Sequence, residues 1–277
     1  MSVVYDMYPD LAIDSGEIRN SQVIAAARRA ERAQYRLSDR VLVLSDGFRR
    51  KLEARGVPPE KLVVIPVWLD TNEIVPRGRD NAWRRRQGID PGCRVVLYAG
   101  TIGLVSGARV VLAAAERFRG RDDVLFLFVG EGRVKDELER AARASGLQNM
   151  RLLPFQPRED LADVQASADV SLVTLAPGRG HTSVPSKVVG YMAAGRPIAA
   201  SVDLDCDTAE VIRSSACGVV VPPGDGDALA RALETLLEDD RERGDMGERA
   251  RAAFEERFGA DGALRRYAEM LEGLGER

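Results

Sequence analysis

Apolar and polar positions follow two rhythms along the chain. Short runs centred on β-branched and aliphatic residues, Val3-Val4-Tyr5, Arg40–Leu44 and Leu62–Ile65, have the near-continuous apolar character of parallel strands covered on both faces. Between them, apolar residues recur at helical spacing and predict helices over Ser21–Leu37 and Asp46–Arg55, the second closed by Gly56-Val57-Pro58-Pro59. The polar, breaker-rich segment Pro76-Arg77-Gly78-Arg79-Asp80 reads as a linker, or as a surface loop within one domain.

A longer series starts after Pro91-Gly92. It predicts strands at Arg94–Ala99, Val124–Val129, Met150–Leu153, Val170–Leu175, Pro197–Ser201 and Gly218–Val221. Helices are expected at Ala108–Arg119, Arg133–Ala144, Arg158–Ala166, Pro185–Ala194, Thr208–Ser214 and Asp227–Glu238, with a charged helical stretch from Arg241 onward. Val134, Leu138, Ala141 and Ala142 form a sheet-facing stripe, and Gly146 stands where a left-handed cap would end that helix. Strict βα alternation predicts an α/β protein with a doubly wound parallel sheet, whose ligands bind beyond the carboxyl ends of the strands. Residues 1–80 are expected to be part of one Rossmann-like domain and 81–277 a second, with the last helix returning to the first.

Composition narrows the function classes. Aromatic residues make up 5% of the chain and the formal charge is −3, so neither a base-stacking platform nor a bulk basic field for nucleic acid is present. Cys93, Cys206 and Cys217 form no Cys-x-x-Cys pair, and His181 is the single histidine, too few soft ligands for a zinc site. No basic-then-apolar leader and no apolar run near the ~20 residues of a membrane span is found, and the chain reads as cytoplasmic. Arg28, Arg32, Arg36 and Arg40 recur at i, i+4 on one helix face, either as solvated surface or as a peripheral membrane contact.

Three loops could carry chemistry. Ala99-Gly100-Thr101-Ile102-Gly103 follows a strand, and its glycines serve either the turn or the approach of a bulky anion. Gly130-Glu131-Gly132-Arg133 lacks the third glycine of a dinucleotide fingerprint, because Lys135 stands there. Arg133 and Lys135 in a first helical turn call for compensation, from Asp136, Glu137 and Glu139 or from an anion in front of the helix. Ser183-Val184-Pro185-Ser186-Lys187 places a proline at a helix start, followed by free N–H groups, a hydroxyl and an ammonium, three kinds of donor for an anion. Gly190 in mid-helix implies a neighbour passing close to the backbone, and Gly195 caps the helix.

Taken in order, Asp6-Met7-Tyr8-Pro9, Leu44-Ser45-Asp46-Gly47-Phe48, Val64–Asp70, Leu97–Gly103, Val129-Gly130-Glu131-Gly132, Leu153–Pro157 and Pro185-Ser186-Lys187…Ala193-Ala194-Gly195-Arg196-Pro197 resemble glycosyltransferase family 4, the retaining GT-B enzymes, in the branch that builds exopolysaccharide and lipopolysaccharide sugars. The resemblance implies a nucleotide-diphosphate sugar as donor, a saccharide or lipid-linked acceptor, retention of configuration, and no metal or other cofactor. It places the donor phosphates near Gly100, Thr101 and Gly103 with Arg133 beside them, the base near Phe155 and Gln156, and the diphosphate and sugar near Ser183, Ser186 and Lys187. Asp6, at a strand end that would face the cleft, reads either as an acceptor-side residue or as a surface or capping aspartate.

The pattern departs from the family at several positions. Thr182 and Gly190 replace a pair of glutamates whose second member binds the ribose, Ser106 replaces a phosphate-binding lysine, and Val67 replaces a common asparagine. The resemblance begins inside the N-terminal domain, so the acceptor half is expected to be incomplete. Two readings follow: a transferase whose missing half lies upstream or on a partner chain, or an inactive fragment that binds nucleotide or protein.

Overall fold

The computed structural model describes residues 1–275. Strands β1 (Ser2–Val4), β2 (Val41–Val43) and β3 (Leu62–Val64) form a parallel sheet in that order. Helices α1 (Asp10–Asp14) and α2 (Ser21–Leu37) connect the first pair, and α3 (Asp46–Ala54) the second. After α4 (Ala82–Arg86) come β4 (Arg94–Ala99), β5 (Val124–Val129), β6 (Met150–Leu153), β7 (Val170–Thr174), β8 (Ile198–Ser201) and β9 (Gly218–Val221). They are linked in turn by α5 (Val110–Arg117), α6 (Lys135–Ala144), α7 (Leu161–Ala166), α8 (Lys187–Ala193) and α9 (Asp207–Ser214), and followed by α10 (Gly226–Glu238), α11 (Asp240–Arg257) and α12 (Ala260–Gly275).

The second sheet is six-stranded and parallel, in the order β6-β5-β4-β7-β8-β9. From β4 the chain builds outward to β6, then returns to the other side of β4 with β7. That reversal puts a topological switch point between β4 and β7, where crevices open beyond the strand ends.

Burial on both faces explains the apolar runs. In β5, Val124, Phe126 and Phe128 join the core beneath α5, α6 and α10, while Leu125, Leu127 and Val129 join the core with Trp83 and Val164. Each such side chain contributes roughly 1.5–3 kcal/mol by leaving water. A third core gathers Val188, Tyr191 and Met192 of α8 with Ile198, Ala209, Ile212 and Phe254.

Some element boundaries differ from the sequence expectation. The Arg133–Ala144 helix starts at Lys135 and the Pro185–Ala194 helix spans Lys187–Ala193, because Val188 and Val189 N–H bond three residues back, to Pro185 and Ser186, in a tighter first turn. The short helices α1 and α4 were not anticipated; with five residues each, they show too little periodicity. The segment expected as a linker lies against the larger unit: Arg77 pairs with Asp163 at 2.7 Å and Arg79 with Asp169 at 2.8 Å. The charged C-terminal stretch is two helices, separated where Leu69 N–H donates to Phe258 at 3.1 Å. α12 then packs Ala263 and Met270 on Leu42, Leu44 and Ile65 of the smaller sheet. Among the described residues no helix is long and apolar enough to cross a membrane.

Candidate functional site

Lys187 opens α8 beside the switch point. Its ammonium donates to the Tyr98 hydroxyl at 2.7 Å and lies 4.1 Å from the centre of that ring. Tyr98 donates in turn to the Thr101 carbonyl at 2.8 Å. Burial alone lowers Lys187 from 10.5 to about 8, and it pushes Tyr98 up to about 12. Lys187 makes no ion pair among the described residues, so a partly buried positive charge is held by neutral groups only. Ser186 and Thr101 beside it are exposed, and the N–H groups of Ser186 and Lys187 bond to no backbone carbonyl among the described residues. An anion is the ligand such a corner favours.

Two tyrosines that sequence reasoning did not single out build this corner. Tyr191, one turn after Lys187 on α8, accepts from Ala99 N–H at 2.8 Å and donates to the Ala99 carbonyl at 3.2 Å. It ties α8 to the end of β4 and sets Lys187 against Gly100, whose added Cβ would lie 3.2 Å from Lys187 Cε. The i, i+4 spacing of Lys187 and Tyr191 was the available signal.

The glycines divide by role. A Cβ on Gly130 would overlap the Gly100 carbonyl, and one on Gly132, at φ +153°, would come 2.6 Å from the Ile102 carbonyl carbon. Ile102 N–H donates to Glu131 at 2.9 Å and Val134 N–H to Ile102 at 3.2 Å, so these glycines let two loops interlock. Gly103, at φ −101°, shows no such need. Arg133 is exposed on the interlocked loop with no ion pair among the described residues, whereas Lys135 is neutralised by Glu131 at 2.5 Å. Buried Ser106 spends its hydroxyl on the Gly103 carbonyl at 2.6 Å.

Gln156 is committed within the fold: its Oε1 accepts from Trp83 at 3.0 Å and its Nε2 donates to Pro154 at 3.0 Å. The adjacent Phe155 is exposed. The neighbour that Gly190 accommodates is the Gln165 carboxamide of α7.

The loop before Pro185 is pinned by the smaller sheet's unit. Asp6 and Ser183 form an antiparallel bridge, Met7 N–H donates to Thr182 at 3.1 Å, and Lys51 Nζ donates to the His181 carbonyl at 2.6 Å. Burial lowers the Lys51 pKa there. His181 Nε2 lies 3.3 Å from Asp205. A second clasp joins the units where Asp207 accepts from Ser45 Oγ at 2.7 Å and Gly47 N–H at 3.0 Å. A cavity of about 670 Å³ opens at the seam, lined among others by Asp10, Arg32, Lys51, Arg55 and His181. Asp6, Ser183, Ser186, Lys187, Gly100 and Thr101 therefore gather where the seam meets the switch point, while Gln156 is used structurally.

Residues 79–253 match the family described as glycosyl transferases group 1, and residues 2–68 match a glycosyl transferase 4-like domain. The chain belongs to the group 1 glycosyl transferases. It is similar to the probable glycosyltransferase WbjE of Pseudomonas aeruginosa, 25% identical over 98% of this chain and 68% of that protein. It also resembles the putative colanic acid biosynthesis glycosyl transferase WcaI of Escherichia coli, 26% identical over 80% of this chain and 55% of the relative. Among solved structures, Anabaena Alr3699/HepE in complex with UDP-glucose superposes with a TM-score of 0.79 at 20% identity, covering 98% of this chain and 71% of that one. Sucrose-phosphate synthase of Thermosynechococcus elongatus follows at 0.78 and 20%, over 96% and 66%. The parallel α/β architecture is thus the one found in GT-B group 1 transferases, and the chain spans between about half and two thirds of the length of the curated relatives above.

Proposed function

We propose that this chain holds the diphosphate of a nucleotide sugar in front of Lys187, and that the protein transfers the sugar to a saccharide or lipid-linked acceptor with retention of configuration. The observation that carries this reading is the Lys187 ammonium, partly buried, lowered to about 8 and without a carboxylate partner among the described residues, at the switch point of a parallel sheet. As the bond from sugar to diphosphate breaks, negative charge grows on the leaving oxygens. Lys187, the N–H groups of Ser186 and Lys187, and Arg133 would stabilise it electrostatically, without a metal. The acceptor would enter from the seam, past Asp6 and the 670 Å³ cavity, and present its hydroxyl to the sugar. Uridine nucleotides are the first donors to try, since Alr3699/HepE was solved with UDP-glucose.

Calorimetric titration of uridine and guanosine diphosphates tests the reading. Lys187→Ala is expected to weaken binding by about 1–3 kcal/mol, the worth of a charge-assisted contact. Unchanged affinity in a folded variant would remove Lys187 from the site.

A further inference from the structure

The arginines spaced along α2 line two cavities that meet. The cavity of about 670 Å³ at the seam shares Glu31, Arg32 and Arg55 with a second of about 570 Å³, between α2 and the turn that follows α3. Arg28 lines the first, Arg32 both, and Arg36 the second. One row of guanidinium groups therefore runs from the seam into the groove beyond. Its members follow one another about 6 Å apart along the helix, about 12 Å in all.

The local charge is opposite to that of the chain. Seven lysine and arginine side chains and three carboxylates line the two cavities, in a protein of formal charge −3. Those carboxylates are already engaged: Arg55 pairs with Asp10 and, at 2.9 Å, with Glu31, and Asp14 lies 3.8 Å from Arg179. Glu31 also accepts from the buried Tyr35 hydroxyl at 3.2 Å. Arg29, Arg32 and Arg36 are exposed and meet no carboxylate among the described residues. Like charges one turn apart repel, so an anion that joins the row relieves it. A lone phosphate would meet one or two of these cations. A row at regular intervals suits a chain that carries a carboxylate on successive units. The concave setting suits such a chain better than a flat lipid surface.

We propose that the groove between α2 and α3 binds a uronate-bearing saccharide chain through Arg29, Arg32 and Arg36 and leads its end to the seam, so that the acceptor is acidic. Guanidinium groups take carboxylates in a two-pronged geometry, which gives the contact direction as well as charge. The assignment rests on the reading that the protein transfers a sugar to an acceptor entering from the seam.

The test titrates oligogalacturonate and oligoguluronate by calorimetry, with malto-oligosaccharide of equal length as the neutral control and uridine and guanosine diphosphates in parallel. At low ionic strength the wild-type protein is expected to bind a uronate chain about tenfold or more tighter than the neutral one, a preference that shrinks as salt is raised. In the double variant Arg32→Glu, Arg36→Glu the preference falls to near one, while diphosphate affinity and thermal unfolding stay as in wild type. Arg32→Lys with Arg36→Lys, which keeps the charge and loses the fork, restores part of it. A wild-type protein that does not prefer uronates, or a preference unchanged in the double Glu variant, overturns the assignment while leaving diphosphate binding intact. Flotation of the wild type with phosphatidylglycerol vesicles that uronates do not displace and the double Glu variant abolishes gives the row to lipid, and overturns it equally. Failure of every diphosphate to bind the wild type overturns the transferase reading, and with it the acceptor role of the groove.

Discussion

If the diphosphate binds at Lys187 as proposed, nucleotide binding should answer to pH above neutrality. In the free protein burial lowers its ammonium from 10.5 to about 8. A bound diphosphate favours the charged form and raises it again. Binding is therefore linked to proton uptake once pH passes about 8. Each pH unit beyond that point leaves about tenfold fewer free sites charged, which lowers the association constant about tenfold, or about 1.4 kcal/mol. Calorimetry from about pH 7.5 to about pH 9.5, in two buffers of different ionisation enthalpy, should show this slope together with an uptake of roughly half a proton near pH 8. In Lys187→Met both slope and uptake disappear. The same linkage acts on stability with a defined sign. Between about 8 and 10.5 the unfolded chain retains a proton that the native Lys187 has lost, so the wild-type fold gains stability as pH rises through that window. The interval is worth at most about 3 kcal/mol, less because the side chain keeps some access to solvent. Without ligand, Lys187→Met should then be more stable than wild type at pH near 7. Affinity that stays flat to about pH 9.5, or an equal slope in Lys187→Met, would show that this ammonium does not meet the ligand.

Other substitutions probe the frame around the site. Asp169→Ala strips Arg79 of its partner and leaves fully buried Arg84 uncompensated; a loss of about 3–5 kcal/mol in urea unfolding is expected. Gly132→Ala drives a methyl into the Ile102 carbonyl and pushes the loops after β4 and β5 apart; it should cost about 1–3 kcal/mol and weaken diphosphate binding, read by thermal shift with and without ligand. Asp207→Ala removes the carboxylate that accepts from Ser45 and Gly47, and should lower stability by about 1–3 kcal/mol while speeding proteolysis between the two sheets. Undiminished protease resistance in that variant would show that the clasp does not hold the units together.

Much of the frame was legible because its causes are local. Val124–Val129 reads as a doubly covered strand since each residue is apolar, and the structure buries alternate residues in two separate cores. Gly195 at φ +65° and Gly146 at φ +66° end helices in left-handed backbone that glycine adopts at little cost. The site was legible in part. Lys187 stood out by its place behind a helix-starting proline, whereas Tyr98 and Tyr191 act through contacts that only the fold brings together. Gly130 and Gly132, short of a dinucleotide fingerprint in the sequence, serve the loop-to-loop contact that the fold reveals. Gln156, placed near the base by the family resemblance, accepts from the indole N–H of Trp83, a partner 73 positions away.

What the linear chain determined by itself was the alternation of strand and helix, the parallel sheet that follows from it, and the strand ends from which chemistry can project. Those properties depend on periodicity and on single-residue backbone preferences, which act over one or two turns. Only the tertiary structure decided that Lys187 meets no carboxylate among the described residues, that Gln165 fills the space Gly190 leaves, and that Asp6 meets Ser183 across the seam between the sheets. Each of these is a contact between residues distant in sequence, and whether a charge or amide is paired depends on neighbours that no local spacing records.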